Sequence, residues 1–103
     1  MVDQDKIIVV DIDGTICTIE DDYSQCKLID GSREALLMLQ EKGFKIYLHT
    51  GRHIDKYEIT VNWLQKHNVS YNFIVFGKPN ARYYIDDKAI KFNTWNEVIS
   101  EIG

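Results

Sequence analysis

The chain has 103 residues, 45% hydrophobic and 27% charged, with one Pro and six Gly. That length suits a single domain over residues 1–103, one that can bury one core. A formal net charge of −4 leaves no basic footprint for nucleic acid, and no apolar run is long enough to span a bilayer.

The N-terminus carries a short polar lead and lacks the basic and apolar regions of a signal peptide, so the cytoplasm is the expected compartment. Cys17 and Cys26 are the only cysteines, and neither sits in a zinc-type Cys/His spacing. Free thiols are expected.

Ile7-Ile8-Val9-Val10 is a run too short for a helix and rich in β-branched residues, which predicts a buried strand. Asp11 and Asp13 follow it. In extended chain, residues two apart leave the same side, about 7 Å apart. Gly14 permits the tight turn that ends the strand. Two like charges at the tip of a buried strand repel, and a divalent cation can neutralise them.

Residues 16–30 show no helical period and carry the acidic run Glu20-Asp21-Asp22, which suits a hairpin or flap beside the strand end. Ser32 is placed to cap a helix over residues 33–42, with Gly43 as its stop. Residues 44–49 alternate apolar and polar, a second strand ending in Thr50-Gly51-Arg52. Ile54, Tyr57, Val61 and Leu64 mark an amphipathic helix running to His67. Residues 73–76 make a third strand, followed by Gly77-Lys78-Pro79. Tyr83-Tyr84-Ile85 predicts a fourth, ending in Asp86-Asp87. Thr94 and Glu97 form a capping box for a last helix over residues 95–102. This alternation argues an open, mostly parallel Rossmann-like sheet with helices on both faces.

Polar groups able to do chemistry close three of the four strands, where parallel α/β sheets place their sites. With DIDGT at 11–15, Thr50 in HTGR, Lys78 in FGKP and the acidic pair in YYIDD, the sequence resembles the haloacid dehalogenase (HAD) superfamily of phosphohydrolases. The likeness is greatest to small, capless, capsule-biosynthesis-type phosphatases. It implies a three-layer α/β/α HAD-like fold without a cap domain, the 16–30 flap being the one small insert.

The resemblance also implies a Mg²⁺-dependent phosphomonoesterase that works through an aspartyl-phosphate. Asp11 would be the nucleophile, Asp13 the general acid and base, and Thr50 and Lys78 the phosphoryl-stabilising groups. Mg²⁺ would be held by an Asp11 oxygen, the Asp13 backbone carbonyl and one of Asp86 and Asp87, with Asp86 preferred for its place at the strand tip. Gly14, Thr15, Gly51 and Arg52 are candidates for substrate binding, Arg52 because a guanidinium grips phosphate bidentately. His49 and His53 flank Thr50 and are read as packing or surface residues.

The sequence departs from the pattern between Lys78 and Tyr83, where only Pro79, Asn80, Ala81 and Arg82 intervene. That leaves no room for a crossover helix, and makes Lys88 an understudy for Lys78. With no cap the site should be open. An open site favours a substrate that brings its own bulk, or a homo-oligomer that covers it. The expected partner is a small phosphorylated substrate, a sugar or a nucleotide-linked metabolite. The alternatives are a polynucleotide 3′-phosphatase-like enzyme, a catalytically silent phosphate-binding or regulatory protein of the same fold, and a receiver domain. The receiver is disfavoured because its phospho-accepting Asp lies later in the chain.

Overall fold

The computed structural model describes residues 4–103. Three parallel strands form the sheet in the order β1 (Ile7–Val10), β2 (Lys45–His49) and β3 (Phe73–Val75). Helices α1 (Ser32–Glu41) and α2 (Tyr57–Lys66) make the two crossovers, and α3 (Trp95–Ile102) ends the chain. Short 3₁₀ turns at Tyr23–Gln25 and Ile54–Lys56 precede α1 and α2. Because all strands run the same way, the loops at their carboxyl ends gather at one edge of the sheet.

Side-chain alternation divides the sheet into two unlike faces. Val10, Ile46 and Leu48 face the core, joined by Ile12, Ile16, Leu36, Leu39 and Leu64. On the other side, Val9, Tyr47 and Phe73 stand in register across the three strands. Val9 is 61% exposed and Phe73 53% exposed, so this apolar row is open to water.

Two local details differ from the sequence expectation. Gly31, at φ 85°, is the N-cap of α1, and Ser32 begins the helix. The Ser32 hydroxyl turns inward, donating to the Ile16 carbonyl at 3.2 Å and accepting from the Trp95 indole at 2.9 Å. It therefore ties β1's turn and α3 to α1 in place of capping. The predicted α2 starts as a 3₁₀ turn, becomes α-helical at Tyr57, and stops where Asn68 takes a left-handed φ of 56°. At α3 the N-cap half of the expected box forms, the Thr94 hydroxyl accepting from the Glu97 amide at 3.2 Å, while the Glu97 carboxylate accepts from the Asn93 side-chain amide.

The largest departure is the fourth strand. Tyr83-Tyr84-Ile85 form none, and Ile85 is fully exposed. Chain length explains this. The Lys78 amide donates to the Thr50 carbonyl at 2.9 Å, which fixes Lys78 at the end of β2. The start of a parallel strand beyond β1 lies about 10 Å sideways and about 13 Å back, a straight line of about 16 Å. Five Cα steps from Lys78 to Tyr83 reach about 17 Å when fully stretched. No slack remains to go around the intervening side chains. No helix among the described residues is long and apolar enough to cross a membrane.

Candidate active site

Beyond Val10 the chain bends at Ile12, bridges to Cys17 at Asp13 and turns at Gly14, whose φ is 84°. A Cβ there would meet Ile19 at 3.2 Å, so a side chain would be strained both by the backbone and by the flap. The Ile12 carbonyl accepts from the amides of Ile16 and Thr15, closing the turn under the two carboxylates. The Ile12 amide itself donates to Asp11 Oδ1 at 2.9 Å, which fixes that carboxylate at the strand tip.

The flap is a hairpin as expected. Cys17 bridges Leu28, Thr18 accepts and donates across to Lys27, and Ile29 donates to Ile16. Its tip is the 3₁₀ turn capped by the Asp22 carboxylate, which accepts from the Ser24 amide at 3.0 Å. The Trp63 indole on α2 donates to the Cys26 carbonyl at 2.9 Å and holds the flap down.

A cavity of about 310 Å³ opens at this edge, with Asp11, Asp13, Gly51, Arg52 and Lys78 around it. The flap contributes Ile19, Glu20 and Tyr23, and the segment after Lys78 contributes Pro79, Asn80 and Tyr84. A Cβ at Gly51 would lie 3.3 Å from the Lys78 carbonyl, a tight contact that a shift of a few tenths of an ångström would have to relieve. Burial pushes the Asp11 carboxyl above its ordinary range, while Lys78, the Ile12 amide and His49 pull it back down. Lys78, whose ammonium also lies over the Tyr84 ring, is thus close enough to act on the Asp11 charge. Lys88 is exposed in the segment beyond, so geometry favours Lys78 for the cationic part.

Arg52 sits differently from a substrate-gripping arginine. It is 3% exposed and forms the cavity floor. Its Nε donates to Asp13 Oδ2 at 2.9 Å and its Nη2 to Asp13 Oδ1 at 2.7 Å. Burial alone would lower its pKa, but the hydrogen bonds and charge of Asp13 outweigh that and raise it above the ordinary value. Burial, with Asp13 and Cys26 next to it, pushes the Cys17 thiol up as well.

Asp13, Cys17 and Cys26 bring three potential ligand atoms within 4.8 Å of one another. Their centre is already taken by a cation. Arg52 Nη2 lies 2.7 Å from Asp13, 3.8 Å from the Cys17 sulfur and 3.6 Å from the Cys26 sulfur. A hard divalent ion prefers oxygen donors, and at the cavity these come from Asp11 and from the backbone of Asp13, whose carboxylate is held by Arg52.

The other predicted residues fall in three places. Thr50 is fully buried beneath Gly51, its hydroxyl accepting from the Arg52 amide at 3.1 Å. Gly14 and Thr15 support the turn without lining the cavity; the Thr15 carbonyl accepts from the Trp95 indole at 3.0 Å. Asp86 and Asp87 are exposed and lie outside the cavity wall, and the Asp86 carboxylate accepts from the Lys88 amide at 2.8 Å. His53 pairs with Asp55 on the surface. Glu20, Tyr23 and Thr60 were not legible as site residues. Glu20 and Tyr23 arrive through the fold of the flap, and Thr60 through the face α2 turns inward.

Comparison with curated proteins finds no match. Among solved structures, a structural-genomics target from Vibrio cholerae is 28% identical, with a TM-score of 0.73 over 95% of this chain and 99% of its own. A chain of the Pnkp1/Rnl/Hen1 complex is 25% identical, with a TM-score of 0.63 over 77% of this chain and 30% of its own. A second structure of that RNA repair complex gives 26% identity and the same TM-score, over 79% of this chain and 29% of its own. The family model for haloacid dehalogenase-like hydrolases matches residues 8–102, from the core of β1 through α3. The chain belongs to the haloacid dehalogenase-like hydrolases.

Proposed function

We propose that this hydrolase is a phosphomonoesterase working through an aspartyl-phosphate, in the cytoplasm, where the free Cys17 and Cys26 would stay reduced. The observation that carries it is the meeting of Asp11, Asp13 and Lys78 around one open cavity at the carboxyl end of the sheet. An Asp11 oxygen attacks phosphorus, and the bond from phosphorus to the ester oxygen breaks. Asp13 gives that oxygen a proton. In the second step Asp13 takes a proton from water, the water oxygen bonds to phosphorus, and Asp11 is released as a carboxylate with inorganic phosphate. Lys78 offsets charge on the nucleophile and the transferring group. An Asp11 carboxylate oxygen and the Asp13 backbone carbonyl would hold magnesium, with Asp86 or Asp87 as a further donor. When bound, the ion would neutralise the phosphoryl oxygens.

The substrate reading follows from the cavity rim. Ile19, Tyr23, Pro79 and Tyr84 offer apolar and aromatic surface, and Glu20 an acceptor for hydroxyl groups. That suits a sugar phosphate or nucleotide-linked metabolite. The likeness to a chain of an RNA repair complex supports a second reading, a phosphatase for polynucleotide 3′ ends. The acidic flap, Glu20-Asp21-Asp22, weighs against it, since a polyanion would have to approach three carboxylates.

The test is phosphate release from an aryl phosphate with and without Mg²⁺, followed by sugar monophosphates and a 3′-phosphorylated oligonucleotide. Mg²⁺-dependent release, faster on the sugar phosphates, is the expected result. No release from any of them overturns the reading, and a preference for the oligonucleotide selects the second one.

A further inference from the structure

We infer that Arg52 is a positioning residue: it holds the Asp13 carboxyl in the orientation that proton transfer needs, and does not bind substrate. The inference rests on the phosphomonoesterase reading above and assigns a role within it.

Most of the guanidinium is taken up by protein groups. Two parallel bonds to Asp13, at 2.9 Å from Nε and 2.7 Å from Nη2, form a fork that fixes both the position and the plane of the carboxyl group. Nη1 donates to Thr60 Oγ1 on α2 at 3.0 Å. The Tyr23 ring lies over the guanidinium, its centroid 3.8 Å from Cζ. The Cys17 and Cys26 sulfurs are the remaining acceptors at Nη2. With the residue 3% exposed, a phosphate has little access to the Nη1 hydrogen that remains. The arginine is thus anchored by the flap through Tyr23 and by α2 through Thr60, and it passes that anchoring to Asp13. The Asp13 backbone is held by its bridge to Cys17, but apart from the Cys17 thiol its carboxyl group has the Arg52 fork to orient it.

The fork also distinguishes the two oxygens of Asp13. Oδ1 accepts from Arg52 Nη2 and from the Cys17 thiol at 3.6 Å, which occupies both of its lone pairs. Oδ2 accepts from Arg52 Nε and keeps one lone pair. Oδ2 is therefore the atom that carries the proton to the ester oxygen and collects one from water.

A substrate-binding arginine, a purely structural one and a positioning one differ in what their loss does to two esters. An alkyl phosphate needs its leaving oxygen protonated, and an aryl phosphate needs this far less. Arg52→Ala should lower kcat on an alkyl phosphate by about 100-fold and on an aryl phosphate by less than about fivefold, with KM unchanged on both. Added guanidinium chloride should restore part of the alkyl rate. Combined with Asp13→Asn, Arg52→Ala should cause little further loss on the alkyl ester. Arg52→Ala strips a buried carboxylate of its partner, so Thr60→Val serves as the companion variant. It removes only the bond behind Nη1, and should lower alkyl turnover several-fold with aryl turnover kept.

Equal losses on the two esters, or a rise in KM with kcat kept, overturn the role while wild-type activity leaves the phosphatase reading standing. If Arg52→Ala does not fold, Thr60→Val decides alone by the same pattern. A wild-type protein inert on both esters overturns the phosphatase reading and this role with it.

Discussion

The chain carries two pairs of acidic residues at the ends of apolar runs, and the fold treats them in opposite ways. Asp11 and Asp13 stand beyond a strand whose inward residues are buried. The Ile12 amide fixes one carboxylate and Arg52 grips the other. Asp86 and Asp87 follow Ile85, which is fully exposed, and the bond made by Asp86 is a local one to the Lys88 amide. Such a short-range turn forms without help from the rest of the fold. In sequence both pairs close an apolar run. What makes the first a candidate site is the set of groups that hold it, drawn from β1, the flap, the Arg52 loop and α2.

Breaking the built pair should have the largest effect. Asp11→Asn keeps shape and removes the nucleophile, so turnover should fall by roughly 10⁴-fold or more while the circular dichroism spectrum stays that of wild type. Residual activity within tenfold of wild type would assign the attack to another group. Next in size is the effect of core support. Leu48→Ala, beneath the site in β2, should reduce unfolding free energy by about 2–5 kcal/mol, whereas Ile85→Ala should change it by less than about 0.5 kcal/mol. Denaturant titration of both variants tests this, and a large loss at Ile85 would mean that its segment packs in solution.

The second pair can then be asked directly whether it serves the first. Asp86→Asn should raise the Mg²⁺ concentration needed for half-maximal activity by about tenfold, and Asp87→Asn by less. Unchanged titrations in both variants would leave the metal to Asp11 and Asp13. The reverse ranking would give Asp87 the ligand role.

Much of this layout was legible in the sequence. The β1 run, its Asp-Gly turn, α1, β2, α2, β3 and the capped α3 follow from periodicity, β-branching and cap residues, which are local signals. The tip of β1 and the Lys78 turn were legible for the same reason. The fourth strand was not, because Tyr83-Tyr84-Ile85 has a strand's local preference and what forbids its place beside β1 is the length of the chain before it. The pairing of Arg52 with Asp13 was not legible for a related reason. Its neighbours Thr50 and Gly51 pointed to the cavity, but its partners are 39 residues away at Asp13 and eight away at Thr60. No pattern in sequence pairs an arginine with a particular carboxylate across a crossover. Tyr23 and Glu20 reach the cavity by the folding of an acidic hairpin whose sequence reads as a solvated tip.

The smallest expected effect sharpens the contrast most, because it concerns the cost of building the first pair. Burial raises the Asp11 carboxyl above its ordinary value, and Asp13 adds to the rise; Lys78 and the Ile12 amide only moderate it. The folded state thus binds this proton more tightly than the unfolded chain does. Its contribution to stability is complete below the ordinary carboxylate range and is lost as pH rises through the folded-state value. At neutral pH the ionised Asp11 of metal-free protein therefore lowers stability. Asp11→Asn can still accept from the Ile12 amide while carrying no charge. Chelator-treated Asp11→Asn should accordingly melt slightly above chelator-treated wild type at neutral pH, by no more than about 1 kcal/mol after solvent screening of a half-exposed group. The gain should shrink as pH falls toward 4, and the matching Asp86→Asn variant, lacking that burial, should show none. A metal-free wild type that is the more stable of the two at neutral pH would mean that Lys78 and the backbone more than offset the burial of Asp11.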